Sequence, residues 1–476
     1  MLFNSIHFLL FFPVVTAIYF LLPHKYRWFW LLACSCFFYM FFKAIYILIL
    51  FVTIIVDYFA GIYIERTTHP KTKKRLLWLS IVANIGVLAV FKYFNFLNDN
   101  LSGILTWAGY QNHIPSLSIL LPIGLSFHTF QAMSYTIEVY RGRQKAEKRF
   151  GIYALYVMFF PQLVAGPIER PQNMIPQFYK KQVFDPIAVS EGLKRILVGL
   201  FKKVVVADRL SVYVDTVYGN YEQHGSLTLI LATIFFSAQI YCDFSGYSDI
   251  AIGAARVMGF NLMENFKRPY FSKTISEFWG KWHISLSTWF RDYVYIPLGG
   301  NRVAKHKWFF NLFVVFILSG FWHGANWTFI VWGALHGLYL VVGLYKKDLP
   351  KGPVGSFLAK HVSLANYLNM LTTFVLVSIA WVFFRADNMS QALGVLQRIF
   401  WYRPGFFIGE PNYFLYSIMV LTALFLYEFK QEYGIPSIAF LHSNRFSVRM
   451  FTYVVLIFTI LLFGVFDGSQ FIYFQF

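Results

Sequence analysis

The chain has 476 residues, 58% hydrophobic and only 13% charged, where a soluble domain would carry about 25% charged residues. Its 41 Lys and Arg against 22 Asp and Glu give a formal net charge of +19. Those cations gather in short links between apolar runs, which is the pattern of positive-inside membrane topology and gives no ground for a nucleic-acid partner. Runs such as "LILFVTIIVDYFAGIYI" do not alternate in the way that a transmembrane β-strand must, so the expected fold class is an all-α polytopic membrane protein.

In chain order, the first third predicts spans near 6–22, 28–42, 44–64, 76–96 and 117–139. The opening "MLFNSIHFLLFFPVV" has neither a basic stretch nor an A-x-A site, so it is expected to be a retained span and not a signal peptide. The links "HKYR", "ERTTHPKTKKR" and "RGRQKAEKR" carry two, five and five Lys or Arg, whereas the alternate links carry Lys43 alone or none. That alternation predicts basic loops in the cytoplasm and the N-terminus outside. Cys34, Cys36 and Cys242 lie in apolar settings with no zinc or redox spacing, so packing is their expected use and no metal site is expected.

Residues 140–305 break the pattern, with many charges and apolar pieces too short to cross. Pro161, Pro167, Pro171 and Pro176 exclude one straight helix across "FFPQLVAGPIERPQNMIPQF". Polar or non-helical backbone at membrane depth survives only inside protein or around a wet cavity, so re-entrant or interfacial helices are expected here. In "AQIYCDFSGYSDIAIGAARVMGF", Asp243 and Tyr247 are i,i+4 neighbours that would face one polar interior. Gly246, Gly253 and Ala254 would let helices approach closely. In "KWHISLSTWFRDYVY", a helix would place His283, Ser287 and Arg291 on one face. Glu277 and Lys281 have ion-pair spacing, and Arg291 beside Asp292 would either bind a polar ligand or stabilise a bend.

Spans resume near 308–322, 327–345, 365–384, 412–429 and 450–466. The first two form a predicted hairpin around "SGFWHGANWTF". A helix rising ~1.5 Å per residue from Lys307 carries His323 about 24 Å into a hydrocarbon layer ~30 Å thick. Gly324, Ala325 and Asn326 then allow a reversal, and His336 follows on the return helix. An imidazole at that depth needs a partner or a cavity and marks a candidate site. Trp322 and Asn326 flank it as candidate substrate contacts, together with Ser287, Arg291, Asp243, Tyr247 and His336. No internal repeat or detachable boundary is visible, so one membrane domain over 1–476 is expected: N-terminal spans in 1–139, a core with re-entrant helices in 140–346, and C-terminal spans in 347–476.

"QIYCDFSGYSDIAIGAARVMGF", "ISEFWGKWHISLSTWFRDYVYIPLGGNR" and "SGFWHGANWTFIVWGALHG" occur in that order. They resemble the signatures of the membrane-bound O-acyltransferase superfamily, in its bacterial alginate O-acetyltransferase branch. "PIGLSFHTFQAMSYTIEVYRG", "FFPQLVAGPIER" and the ending "GSQFIYFQF" are similar to that branch too. The resemblance implies a bundle of roughly 10–12 spans with re-entrant helices around a central funnel or tunnel. It makes His323 the expected catalytic residue and His283 the second family histidine. It also implies acetyl-CoA as cytoplasmic donor substrate with no bound cofactor, a serine-hydrolase-like extracytoplasmic relay partner, an exported polysaccharide acceptor, and a place in the bacterial cytoplasmic membrane.

Acyl transfer needs a base for the acceptor's proton and donors for the oxyanion. His323 suits the first task; His283, Asn326 or N–H groups near Gly324 are candidates for the second. Arg302, Lys305 and Lys307 lie on the side from which CoA would come, although positive-inside topology alone would put them there. Alternatives are D-alanyl transfer to teichoic acid, peptidoglycan O-acetylation and, from another class, a transporter or flippase.

Overall fold

The computed structural model describes residues 1–118, 121–347, 360–434, 441, 443–466 and 471–472. Most of the basic linker "YKKDLPKGPVGSFLAKH" and all of the ending "GSQFIYFQF" except Phe471 and Ile472 lie outside the described residues. No strand occurs among the described residues. Among the described residues, seven helices are long and apolar enough to cross a membrane: Tyr46–Arg66, Pro70–Trp107, Ser226–Val257, Trp327–Lys346, Val362–Arg385, Pro411–Glu432 and Phe446–Phe463. The protein is an all-α polytopic membrane protein. The first two expected spans form the shorter helices α1 (Ile6–Leu21) and α2 (His24–Met40).

The chain divides into two compact units, Met1–Ile196 with Ser248–Met263, and Leu197–Tyr247 with Glu264–Phe476. In the first unit, α3 (Tyr46–Arg66) and α4 (Pro70–Leu88) pack with α5 (Leu125–Tyr140) around a buried acid. Asp57 is fully buried and accepts hydrogen bonds from Ser80 Oγ (2.5 Å) and Asn84 Nδ2 (2.8 Å). The expected span 117–139 becomes helical only at Leu125, because Pro122 cannot donate a backbone bond and Gly124 sits at φ +76°. The proline-rich stretch breaks as expected into Phe160–Leu163 and Pro171–Tyr179. Gly192 and Gly253 face each other there: a Cβ on either would lie 2.6 Å from the other's carbonyl oxygen.

The middle of the chain departs from expectation in one respect. Ser226–Val257 is a single 32-residue helix, α6, and not a set of short pieces. Its aspartates are tolerated because each has a cation. Asp249 takes Arg195 at 3.0 Å within the first unit, and Asp243 takes Lys203 at 2.7 Å within the second. Elsewhere in the second unit the short helices α7 (Ile275–Lys281) and α8 (Ile284–Phe290) fit the re-entrant reading. They precede the hairpin α9 (Lys305–His323) and α10 (Trp327–Lys347), which packs with α11 (Val362–Arg385).

Candidate active site

The hairpin is closed by glycine. A Cβ on Gly320 would lie 2.2 Å from the Phe329 carbonyl oxygen, and one on Gly333 2.2 Å from that of Phe316. No larger residue permits backbones so near. At the tip, Gly324 is extended (φ −160°), and a Cβ there would meet the Phe329 ring at 2.1 Å. The reversal after His323 therefore forms as the sequence predicts, and it turns the imidazole into protein.

His323 is only 3% exposed. Its ring contacts Trp322 (4.9 Å), Trp332 (5.0 Å) and Phe384 (5.4 Å), centroid to centroid. The Trp322 ring also lies 6.4 Å from that of His283, so this indole neighbours both histidines. His283 is fully buried against Phe244 at 4.5 Å.

His283 does not share a helical face with Ser287 and Arg291, as the spacing predicted. It is the residue before α8, in the left-handed region at φ +44° and ψ +54°, a conformation that costs a non-glycine residue of order 1–3 kcal/mol and needs surrounding support. Asn265 supplies part of it. The Asn265 carbonyl accepts from Ile284 N–H at 2.9 Å, and its side-chain Oδ1 accepts from Ser285 N–H (3.2 Å) and Ser285 Oγ (2.9 Å). Since a backbone N–H can only donate, that atom is oxygen, and His283 Nδ1, 3.2 Å away, must carry hydrogen. In the neutral ring Nε2 is then an acceptor, which argues against His283 as the oxyanion donor.

Two other expectations change. Asn326 holds the turn: its Nδ2 donates to the Asp387 carbonyl (2.9 Å) and its Oδ1 accepts from Thr328 N–H (3.0 Å). The Gly324 N–H is directed at the Gly320 carbonyl, 3.4 Å away. Neither is arranged for an oxyanion. Asp243 and Tyr247 do share a face, and protein groups pack against it. Lys203 bridges Asp243 and Asp208 at 2.7 Å each, Ile472 N–H donates to Asp243 (2.8 Å), and Phe471 covers the Tyr247 ring at 4.8 Å.

His336 is fully buried among aromatic rings, and its Nδ1 accepts from Trp279 Nε1 at 3.3 Å. Its ring and that of His323 both contact Trp332, each at 5.0 Å. Arg302, Lys305 and Lys307 are exposed, with Lys305 over the Tyr345 ring at 5.6 Å. Glu277 and Lys281 form the expected ion pair (2.9 Å), and Arg291 bonds Asp292 (2.8 Å).

A cavity of about 970 Å³ lies within this unit. Ser287 and Arg291 line it together, as do Trp279 and Ser319. Exposed Arg291 and Lys346 mark its outer part; Leu286, Val315 and Ser319, all buried, mark its inner part. From α9 the wall takes Leu312, Val315, Phe316 and Ser319, and the same helical stripe continues into Trp322 and His323. His323 is not itself in the wall, but the lining residue Ser319 lies one helical turn before it on α9. Asn265, Trp279 and Trp332 were not singled out from the sequence, where a lone Asn and scattered Trp carry no spacing signal. Among the described residues no group of three or more His, Cys, Asp or Glu is placed to hold a metal.

Comparison with known proteins places this arrangement. Residues 149–384 match the family model described as "MBOAT, membrane-bound O-acyltransferase family". The "Probable alginate O-acetylase AlgI" of Pseudomonas aeruginosa is 40% identical over 403 residues, 84% of this chain and 75% of that protein. The "Peptidoglycan O-acetyltransferase" of Helicobacter pylori is 39% identical over 399 residues, 77% and 72% of the two chains. The "Teichoic acid D-alanyltransferase" of Bacillus subtilis is 28% identical over 271 residues, 55% and 66% of the two. With likeness of this extent to acyltransferases, the chain belongs to the membrane-bound O-acyltransferase family, in its alginate O-acetyltransferase-like branch, and is an O-acyltransferase.

Proposed function

We propose that the protein takes an acetyl group from cytoplasmic acetyl-CoA and delivers it outside the membrane, through an extracytoplasmic serine-hydrolase-like partner, to hydroxyls of an exported polysaccharide. The N-terminus lies outside, the membrane is the bacterial cytoplasmic membrane, and the chain acts as one catalytic domain. Support comes chiefly from one observation: the cavity whose lining includes exposed Arg291 and Lys346 also reaches Ser319, one helical turn before His323 on α9.

In this reading the acetyl thioester enters the cavity, with Arg302, Lys305 and Lys307 attracting the CoA phosphates. An acceptor hydroxyl attacks the carbonyl carbon, and His323 takes its proton. The intermediate collapses, the C–S bond breaks, and CoA leaves as a thiolate that is then protonated. His283, held with Nδ1–H towards Asn265, uses its Nε2 lone pair to orient a donor on the acceptor side. Incubating the purified protein and its relay partner with labelled acetyl-CoA tests this. Acetyl transfer that depends on His323 is expected, and transfer from a carrier-protein thioester instead would overturn the donor assignment.

A second acceptor is favoured by one comparison. The peptidoglycan O-acetyltransferase of H. pylori is as similar as the alginate enzymes, at 39% identity. Analysing cell-wall and exported glycans after removal of this chain decides between the two acceptors.

A further inference from the structure

With Asn326 and Gly324 committed to the turn and His283 presenting a lone pair, the cavity needs another hydrogen-bond donor near His323. Ser319 is four residues before His323 on α9, so the two project to the same side about one turn apart. Its residue surface is 5% exposed, it lines the cavity, and the neighbouring wall residues of the stripe, Leu312, Val315 and Phe316, are all apolar.

Several other buried helical serines in this chain satisfy themselves on the carbonyl four residues back. Ser35 does so on Leu31 (2.7 Å), Ser134 on Phe130 (2.6 Å), Ser237 on Thr233 (2.9 Å) and Ser417 on Tyr413 (2.8 Å). That back-bond is the default for a serine in an apolar helix. Ser319 makes no such bond and has no hydrogen-bond partner among the described residues. A nearly buried hydroxyl on the otherwise apolar α9 stripe, lining a cavity and not bonded to its own helix, is poised to give its hydrogen to something in that cavity.

We propose that Ser319 is a catalytic residue, donating its O–H to the thioester carbonyl oxygen as negative charge develops there. The inference rests on the acyl-transfer reading above. As the acceptor oxygen bonds to the carbonyl carbon, the C=O electron pair moves onto oxygen and is held by the Ser319 hydroxyl. The acceptor's proton passes to His323. The pair then returns, the C–S bond breaks, and the thiolate departs. Ser319 keeps its own proton throughout, so it is an oxyanion donor and not a nucleophile.

The test compares wild type, Ser319→Ala and Ser319→Thr in purified, thermally profiled form. Acetyl-CoA is the donor, or a carrier-bound acyl thioester if wild type transfers only from that. The second arm separates a wrong donor from a wrong role for Ser319. Loss of a single oxyanion donor costs about 10²–10³-fold in kcat. Ser319→Ala should therefore lose roughly that much kcat, with KM for the thioester shifted less than about threefold. Ser319→Thr, which keeps the hydroxyl, should recover most of the loss. An unchanged kcat in Ser319→Ala overturns the proposal. Equal loss in both variants overturns it too, because the side chain would then matter for packing and not for its hydroxyl.

Discussion

Two buried polar groupings in the second unit invite comparison. Lys203, Asp208 and Asp243 form one, all at most 4% exposed, with one cation bridging two carboxylates at 2.7 Å. His323, His283 and His336 form the other, equally buried but set among tryptophan and phenylalanine rings and close to a cavity. The first matches charge with charge and is capped by the Ile472 N–H. None of the three histidines lines the cavity, but Trp279, hydrogen-bonded to His336, and Ser319, one turn before His323, do. Burial of polar groups inside a membrane protein does not by itself mark a site; what distinguishes a site is whether the groups answer one another or face a cavity. Asp57 in the first unit, surrounded by Ser80 and Asn84, belongs with the answered kind.

The sharpest separation of the two groupings comes from His323→Ala. It should lower acetyl transfer about 10²–10⁴-fold, the usual scale for losing a general base, with protein level and thermal midpoint unchanged. Near-normal turnover would move His323 into the structural class. Lys203→Met should do the reverse. Removing one partner of a buried ionic group costs about 3–5 kcal/mol, read as a lowered unfolding midpoint in detergent. Neutralising Asp208 and Asp243 together with Lys203 should recover much of that loss, and failure to recover would mean that the lysine serves something other than its carboxylates.

Smaller effects refine the histidine side. Gly320→Val would force a side chain into the Phe329 carbonyl and should destabilise the hairpin by about 1–3 kcal/mol, the scale of overpacking. Asn265→Ala withdraws the oxygen that fixes the His283 ring. A hydrogen bond of this kind is worth about 1 kcal/mol, so kcat should fall by roughly five- to tenfold with KM little changed. The smallest change is expected for Arg302→Ala, Lys305→Ala and Lys307→Ala. Each is exposed, so each should raise KM for acetyl-CoA only a fewfold, and less at high salt. A salt-independent effect would argue against a phosphate contact.

Much of the hairpin was legible in the chain. Apolar runs on both sides of "SGFWHGANW" give two spans, and Gly324 through Asn326 give the reversal. The Glu277–Lys281 pair followed from helical spacing. His283 was legible as a residue and not as a geometry, because its left-handed backbone depends on Asn265, 18 residues earlier. Asp243 and Tyr247 misled for a related reason. Their i,i+4 spacing correctly gave a shared face, but spacing cannot reveal that Lys203, Phe471 and Ile472 fill it. The full length of helix α6 was not legible either, because the cations that pair with its two aspartates, Lys203 and Arg195, lie elsewhere in the chain.

By itself, the sequence determined the membrane class, the helical hairpin and the position of its histidine, because hydropathy, glycine and helical period act over a few neighbouring residues. The tertiary structure decided which polar groups are paired and which face space. It put Asn265 on His283, tied Asn326 into the turn and left Ser319 towards the cavity. Those outcomes depend on contacts between residues far apart in the chain, and no local pattern encodes which distant side chain will arrive.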